Sequence, residues 1–441
     1  MGAGIPASER VITMAWQSPI SPGISWYEAS VGERPRYAQL DGSRSADVVI
    51  IGGGFTGLQA AYNLARKGVS VVLIEAHHLG DGASGRNGGQ LGTGQRWAPE
   101  EMEGSLGYER SKALFDLAEN AKQYLFDFTA SQAIDMDYVA GHMNVSHKRS
   151  YEKDYRNSVE AAANRYGYKH FWFMESAETA ERLGSKRYLF GIRDTGTGHI
   201  QPMKLLVGLA KAAQAAGALL CEDTPATNID RKAGKIIVQT PRGTITADRA
   251  LIACNAYING LEPVTSAHVM PIRSFIGATA PLDRHPTIIP GFESIADSRF
   301  VVRYFRKTKD GRLLFGGREA YTADQPRDIS AHIRRQITEI YPELSSIEIT
   351  HSWGGSVGIT LPRQPFVREV LPGVTSIGGY SGHGVMLSNY CGKLYADLVT
   401  GGSAELDLIR ELKVPSFPGG ARFRKPLLFL ALTWYSLVDK L

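Results

Sequence analysis

The chain lacks the features that mark several protein classes. Its three cysteines, Cys221, Cys254 and Cys391, are isolated in 441 residues and show no C-x-x-C spacing. That argues against a disulfide framework or a thiolate zinc site and fits a reducing, cytoplasmic setting. Eleven histidines show no ligand pattern, and the adjacent His77 and His78 cannot share a helical face, so no metal is expected. The formal net charge is +5 with no Lys/Arg block, which gives no reason to expect a nucleic-acid partner. Long apolar runs are missing too. The candidate within "RFRKPLLFLALTWYSLV", residues 422–438, offers about a dozen apolar residues against the ~20 that span a bilayer. A terminal helix packed on the body, or on another subunit of a homo-oligomer, is expected there in preference to a peripheral membrane contact. The opening "MGAGIPASERVITMAW" has no basic stretch followed by an apolar core, so no cleaved secretory leader is expected.

Glycine is abundant, with 48 residues, and it clusters at motif positions. Hydrophobic residues make up 43% and charged residues 21%, the balance of a globular protein, and the length calls for more than one core.

The richest stretch is "DVVIIGGGFTGLQAAYNLARKGVSVVLIEA", Asp47 to Ala76. Asp47–Ile51 reads as a buried parallel strand, Phe55–Lys67 as a helix stopped by Gly68, and Val69–Ile74 as a second buried strand. Between strand and helix, Gly52, Gly54 and Gly57 satisfy G-x-G-x-x-G, with Gly53, Phe55 and Thr56 completing the turn. The first glycine makes the tight turn and the second admits backbone close to a pyrophosphate. The third lets helix and strand pack, and the helix N-terminus offers unpaired N–H groups to the anion. Glu75 ends the next strand 18 residues beyond Gly57, where a carboxylate can accept hydrogen bonds from a ribose and disfavours a 2′-phosphate. Immediately after Ala76, five glycines fall between Gly82 and Gly92, with Ser84, Arg86, Asn87 and Gln90 among them. Such a chain suits neither strand nor helix, and fits an extended course along a ligand.

Farther on, residues 99–185 read as mostly helical, and "QPMKLLVGLAKAAQAAGA" from 201 as a helix opened by Pro202 and closed by Gly217. Residues 226–254 read as a meander of short strands turned at Ala-Gly and Arg-Gly. The terminal "GVTSIGGYSGHGVMLSNYCGKLYADLVTGG" gives strand, glycine turn and helix. Nucleotide-binding elements thus come from separated stretches, with a second domain inserted among them. The expected layout is an arm over 1–45, a nucleotide domain from 46–98, 190–260 and 352–405, a substrate domain from 99–189 and 261–351, and a tail over 406–441.

With the fingerprint, the loop "GASGRNGGQ", the meander end "ADRALIACNAY" and the closing "GGYSGHGV", the chain resembles the FAD-dependent amine oxidoreductases. That superfamily holds the D-amino-acid, glycine and sarcosine oxidases, and the similarity runs from roughly residue 25 to 405. Within it, the strand "GRLLFGG" and the glycine loop are shared with the gamma-glutamylputrescine-oxidising subgroup. The resemblance implies a mixed α/β fold: a discontinuous Rossmann-like FAD domain of glutathione-reductase type and an inserted antiparallel-sheet substrate domain. It implies FAD bound by Gly52, Gly54, Phe55, Thr56, Gly57, Glu75 and Ala76. The run Gly82, Ser84, Arg86, Asn87, Gly88, Gly89 and Gln90 would lie along the ribityl chain and ring. The Ala226 backbone would read the adenine, Ala253, Asn255 and Tyr257 would belong to a second FAD-contacting turn, and Gly379, Gly382, His383, Gly384 and Val385 to the closing turn at the flavin edge. His383 would be a donor to that edge and not a substrate base.

Relatives that attach flavin to a cysteine carry it shortly before the closing motif; "HSWGGSVGITLPRQP" has none there, so FAD is expected without a covalent bond. Leu314 falls where some relatives place an oxygen-activating lysine. The resemblance places Tyr304, Arg306 and Arg318 on the active-site floor; with Arg96, Trp97 and Trp353 they are the expected substrate-side residues, suited to an amine with one anionic end. The expected reaction oxidises a C–N bond to an imine, hydrolysed to aldehyde and ammonia, with O2 reduced to H2O2. The alternatives are an amino-acid dehydrogenase that passes electrons to a quinone, and a non-catalytic nucleotide-binding module.

Overall fold

The computed structural model describes residues 18–299, 301–320 and 328–419, for 318–320 the backbone only. The apolar run at 422–438 and the side chain of Arg318 lie outside the described residues.

Two eight-stranded sheets organise the chain. In the first, the β-branched run Val48–Ile51 is wholly buried and takes the central strand Arg44–Ile51. It pairs in parallel with Val71–Ile74 on one side and Gly243–Ile252 on the other. Leu219–Cys221 and Val374–Gly378 extend the parallel run outward, and Phe366–Leu371 closes one edge antiparallel. These strands read as continuous apolar runs because both faces are covered: Val48, Ile50, Val71 and Leu73 pack against helices, and Val49, Ile51, Val72 and Ile74 against Ile236, Val238 and Ile245 of the meander. At about 1.5–3 kcal/mol per fully buried Val, Leu or Ile, this central strand is a large part of the core.

The helix Phe55–Arg66 follows the central strand. It packs against Pro202–Ala215 and Gly384–Thr400, which bring distant segments to one face of the sheet. Pro202 opens its helix with Gln201 accepting from the Lys204 N–H.

The second sheet runs in the order Ile349–Ile359, Met270–Pro281, Arg312–Ala320, Tyr304–Lys307, Ser294–Asp297, Val139–Ser146, Phe190–His199, Phe171–Met174. It is antiparallel except where Ser294–Asp297 meets Val139–Ser146 in parallel. The helical reading of 99–185 is therefore corrected at two places. Val139–Ser146 and Phe171–Met174 are strands, whose alternation is too short to stand out between the helices Tyr108–Ser131, Glu152–Asn164 and Ser176–Leu183. Phe190–His199 and the whole of Ile349–Ile359 also belong to this second sheet. The described part of the N-terminal arm is not wholly irregular. Trp26–Val31 is a short helix whose N-cap Ser25 accepts from the Glu28 N–H.

Candidate active site

A cavity of about 1190 Å³ runs from the glycine turn of the first sheet to the face of the second. That exceeds the ~300–1,000 Å³ that holds one drug-sized ligand.

At its nucleotide end the glycine requirements are steric. Gly52 has φ 108°, and a Cβ on Gly57 would collide with the Gly52 carbonyl. The helix leaves the Thr56 and Gly57 N–H groups without intrahelical acceptors, whereas the Phe55 N–H donates to Ser84 Oγ at 3.0 Å. A Cβ on Gly54 would sit 2.8 Å from that same hydroxyl. Glu75 accepts from the Gly53 N–H at 2.8 Å and the His77 N–H at 3.2 Å. A carboxylate has about four lone-pair sites, so two stay available to hydroxyls of a bound ribose. Burial raises the Glu75 carboxyl above its ordinary value, partly offset by these backbone donors. Ala76, Ala226, Ala253 and Cys254 complete this end. Cys254 donates to Ile51 O, and burial pushes its thiol up to about 12.

The glycine loop spends its polar side chains on itself and its supports. Asn87 Nδ2 donates to the Ala83 and Ser84 carbonyls, and its Oδ1 accepts from the Gly89 N–H. Gln90 Nε2 donates to Ile295 O at 2.9 Å. Arg86 donates through Nε to Gly354 O and through Nη2 to Pro22 O and Gly23 O, each at 2.7 Å. Arg86 lines the cavity, with its guanidinium spent anchoring the loop to the second sheet and the N-terminal arm. Every residue of the loop from Gly82 to Gln90 except Gly85 lines the cavity. Tyr304 packs its ring over Gly88, where a Cβ would meet it at 2.9 Å, and pairs its hydroxyl with Ser274 at 3.1 Å.

The closing turn presents a second helix end. Gly379, Ser381 and Gly382 have φ of 70°, 54° and 88°, folding the chain back before Gly384–Thr400. Asn255, itself at φ 47°, accepts from the Gly379 N–H at 2.8 Å and ties the two turns together. Tyr257 accepts from the Ser356 N–H at 2.8 Å, with its ring beneath Gly82. The first-turn N–H groups of Gly384 and Val385 have no intrahelical acceptor, and both residues line the cavity. Thr56 and Tyr380 join hydroxyls at 2.7 Å, coupling the two helix starts.

His383 lies between them, but not as a donor. Its backbone N–H goes to Tyr380 O and its Nε2 lies 3.0 Å from Gly94 O, so Nε2 carries the hydrogen and Nδ1 is an acceptor. Burial, with Arg96 nearby, lowers the ring to about 4, so it is neutral at pH 7. The His383 ring therefore has no N–H left to offer the cavity, whereas the Gly384 and Val385 N–H groups have no intrahelical acceptor.

Trp353 is a second correction. It is fully buried, donates to Arg86 O at 3.0 Å and stacks edge-on with Tyr27 at 5.2 Å, behind the loop and away from the cavity. Leu314 is likewise buried in the core, and among the described residues no lysine lines the cavity. Arg96 and Tyr304 do line it, with Arg96 over the Trp97 ring at 5.4 Å.

Several wall residues escaped the sequence reading, among them Asn144, Asp194 and Ser274. Asp194 is buried and accepts from Tyr168 at 2.6 Å and Thr93 at 2.5 Å, beside a buried Lys122 that donates to Thr93 at 2.9 Å. Period-two alternation in "VAGHMNVS" was the available signal for Asn144.

Two separate helix N-termini, a carboxylate at the end of the second strand and a glycine-rich loop along one cavity define a dinucleotide-binding oxidoreductase of the flavoprotein kind. The chain belongs to the FAD dependent oxidoreductase family, DAO, whose sequence profile matches residues 47–398. It is 68% identical over 427 residues to the "Probable oxidoreductase OrdL" of Rhizobium meliloti (strain 1021), covering 97% of this chain and 100% of that protein. It is 31% identical to "Gamma-glutamylputrescine oxidoreductase" of Escherichia coli (strain K12), covering 95% and 98%. The fold is also that of glycine oxidase from Geobacillus kaustophilus, with a TM-score of 0.72 at 22% identity over 84% of this chain and 100% of that one. The protein is an FAD-dependent oxidoreductase.

Proposed function

We propose that the protein oxidises the C–N bond of a small amine with an anionic end, of the gamma-glutamylputrescine kind. The observation that carries this is the end-to-end likeness to the Escherichia coli gamma-glutamylputrescine oxidoreductase. The balance is R–CH2–NH2 plus O2 and water giving R–CHO, ammonia and H2O2. FAD, when bound, supplies the two-electron acceptor.

The chain's own residues bind, orient and shield. The turn at Gly52–Gly57 and Glu75 would hold the nucleotide, and the loop from Gly82 to Gln90 would support the rest of the cofactor. The first-turn N–H groups of Gly384 and Val385 would favour negative charge on a cofactor bound against them. Tyr304 and Arg96 orient the amine and its carboxylate on the opposite wall. With His383 neutral and its N–H spent on Gly94 O, no strong base is offered there, so the amine enters already deprotonated. The segment 351–365 before the closing turn carries no cysteine, which supports a cofactor held non-covalently.

The absence of lysine from the cavity wall, among the described residues, favours a second oxidant reading: electrons leave to a quinone and not to O2. Mixing the yellow protein anaerobically with gamma-glutamylputrescine, then with D-, L- and N-methyl amino acids, tests the substrate. Bleaching of the flavin by the first is expected. A spectrum unchanged by all of them overturns amine oxidation, and peroxide release on admitting air decides between the two oxidants.

A further inference from the structure

Buried arginines are normally matched to carboxylates, because an unpaired charge in low dielectric costs several kcal/mol. Arg306 is 3% exposed and has no such match. Its Nε donates to Gly88 O at 2.8 Å and its Nη1 to His199 Nδ1 at 3.1 Å. Nη2 donates to Tyr27 O–H at 3.1 Å and Ile200 O at 3.0 Å. All four acceptors are neutral. His199 is held neutral first by burial and then by the arginine itself, with Nε2 facing Phe292 O. Among the described residues no carboxylate oxygen comes within 4.0 Å of the guanidinium.

The position of this charge is specific. Gly88 and Gly89 line the cavity, and a Cβ on Gly89 would lie 3.0 Å from Arg306 Nη2, so one peptide thickness separates the cation from the wall. The pyrophosphate end has its own donors in the helix start at Thr56 and Gly57. Arg306 instead backs the far end of the loop, under the Tyr304 ring, where the second sheet begins. Tyr27, one of its acceptors, comes from the arm outside the matched 47–398 segment.

We propose that Arg306 is an electrostatic positioning residue: a cation deliberately left without a protein counter-charge, held behind Gly88–Gly89 so that the negative charge arriving on the flavin ring during reduction becomes its partner. The inference rests on the family's FAD and not on the amine reading. Reduction places a negative charge on the ring, and a fixed cation in a water-poor wall favours that state without reorganising.

The test compares FAD-loaded wild type with Arg306→Met, Arg306→Lys and His199→Asp. The last keeps the arginine but sets a carboxylate against it. Two readings are taken: the flavin midpoint potential and the affinity for sulfite, which adds to the oxidised ring and leaves it anionic. R306M and H199D should each bind sulfite roughly tenfold or more weakly. They should also lower the potential in step, a tenfold change being about 30 mV for a two-electron couple. R306K should stay near wild type. Unchanged potential and sulfite affinity in R306M overturn the proposal, as does a variant that loses only affinity for FAD, which would assign the charge to the pyrophosphate. If R306M yields no folded flavoprotein, H199D decides by the same readings. Failure to bleach with amines would touch the substrate reading and leave these measurements intact.

Discussion

At the scale of single residues, chemistry follows from which N–H and lone pairs are already engaged. Glu75 keeps two acceptor sites for a ribose, so Glu75→Ala should weaken FAD binding by roughly ten- to a hundredfold, the loss of ~1.5–3 kcal/mol from hydrogen bonds to a charged group. Titration of apoprotein with FAD reads this directly, and unchanged affinity would remove Glu75 from the site. His383 makes a pH prediction. Its folded value, about 4, lies below the usual 6.5, so between these values the unfolded chain binds more protons and the residue withdraws stability as pH falls. His383→Asn should flatten that acid-side loss in denaturant titrations. It should leave the kcat/KM profile near neutrality without a missing inflection; a lost inflection there would make the ring a working base. The resemblance carried by "GGYSGHGV" pointed to His383 as a site residue, and the ring does line the cavity. The sequence could not show that Gly94 O, far off in the chain, consumes its hydrogen.

Secondary elements act here mainly as presenters of helix starts. Ser84 caps the helix Phe55–Arg66 from the loop that follows the second strand, linking fingerprint and flavin loop through one hydroxyl. Ser84→Ala should cost about 0.5–2 kcal/mol of stability and weaken FAD at the same time, read by thermal melts with and without added cofactor. Equal losses in both melts would make the cap purely structural. The βαβ unit was legible because its strands are continuous apolar runs and its glycines sit at fixed offsets. The strands Val139–Ser146 and Phe171–Met174 were not, since each is stabilised by neighbours such as Phe190–His199 and Ser294–Asp297 that arrive from elsewhere. Trp353 misled for a related reason: an aromatic before glycines looks like a site residue, but pairing with Met270–Pro281 turns it into the core. Trp353→Phe should therefore lower stability by about 0.5–1.5 kcal/mol through the lost bond to Arg86 O, while KM for the amine holds. A large KM change with intact stability would return it to the substrate wall.

For the whole molecule, the cavity is a product of chain order. Its walls come from the first βαβ unit, the meander end, the closing turn and the second sheet, and none of these encloses a ligand alone. The motif set made the nucleotide half readable in advance because backbone geometry restricts glycine positions. The substrate half is side chains on strands, where register and not motif decides what faces inward. Binding through so many segments ties cofactor to fold, and at a hundredfold excess over its dissociation constant FAD should add ~2.7 kcal/mol of stability.

The most direct test is to denature the purified protein with acid and analyse the supernatant and the pellet separately. One equivalent of intact FAD per chain in the supernatant, with a colourless pellet, is the predicted result. Flavin retained on the precipitated chain, or folded protein that stays colourless after soaking with FAD, would contradict the account.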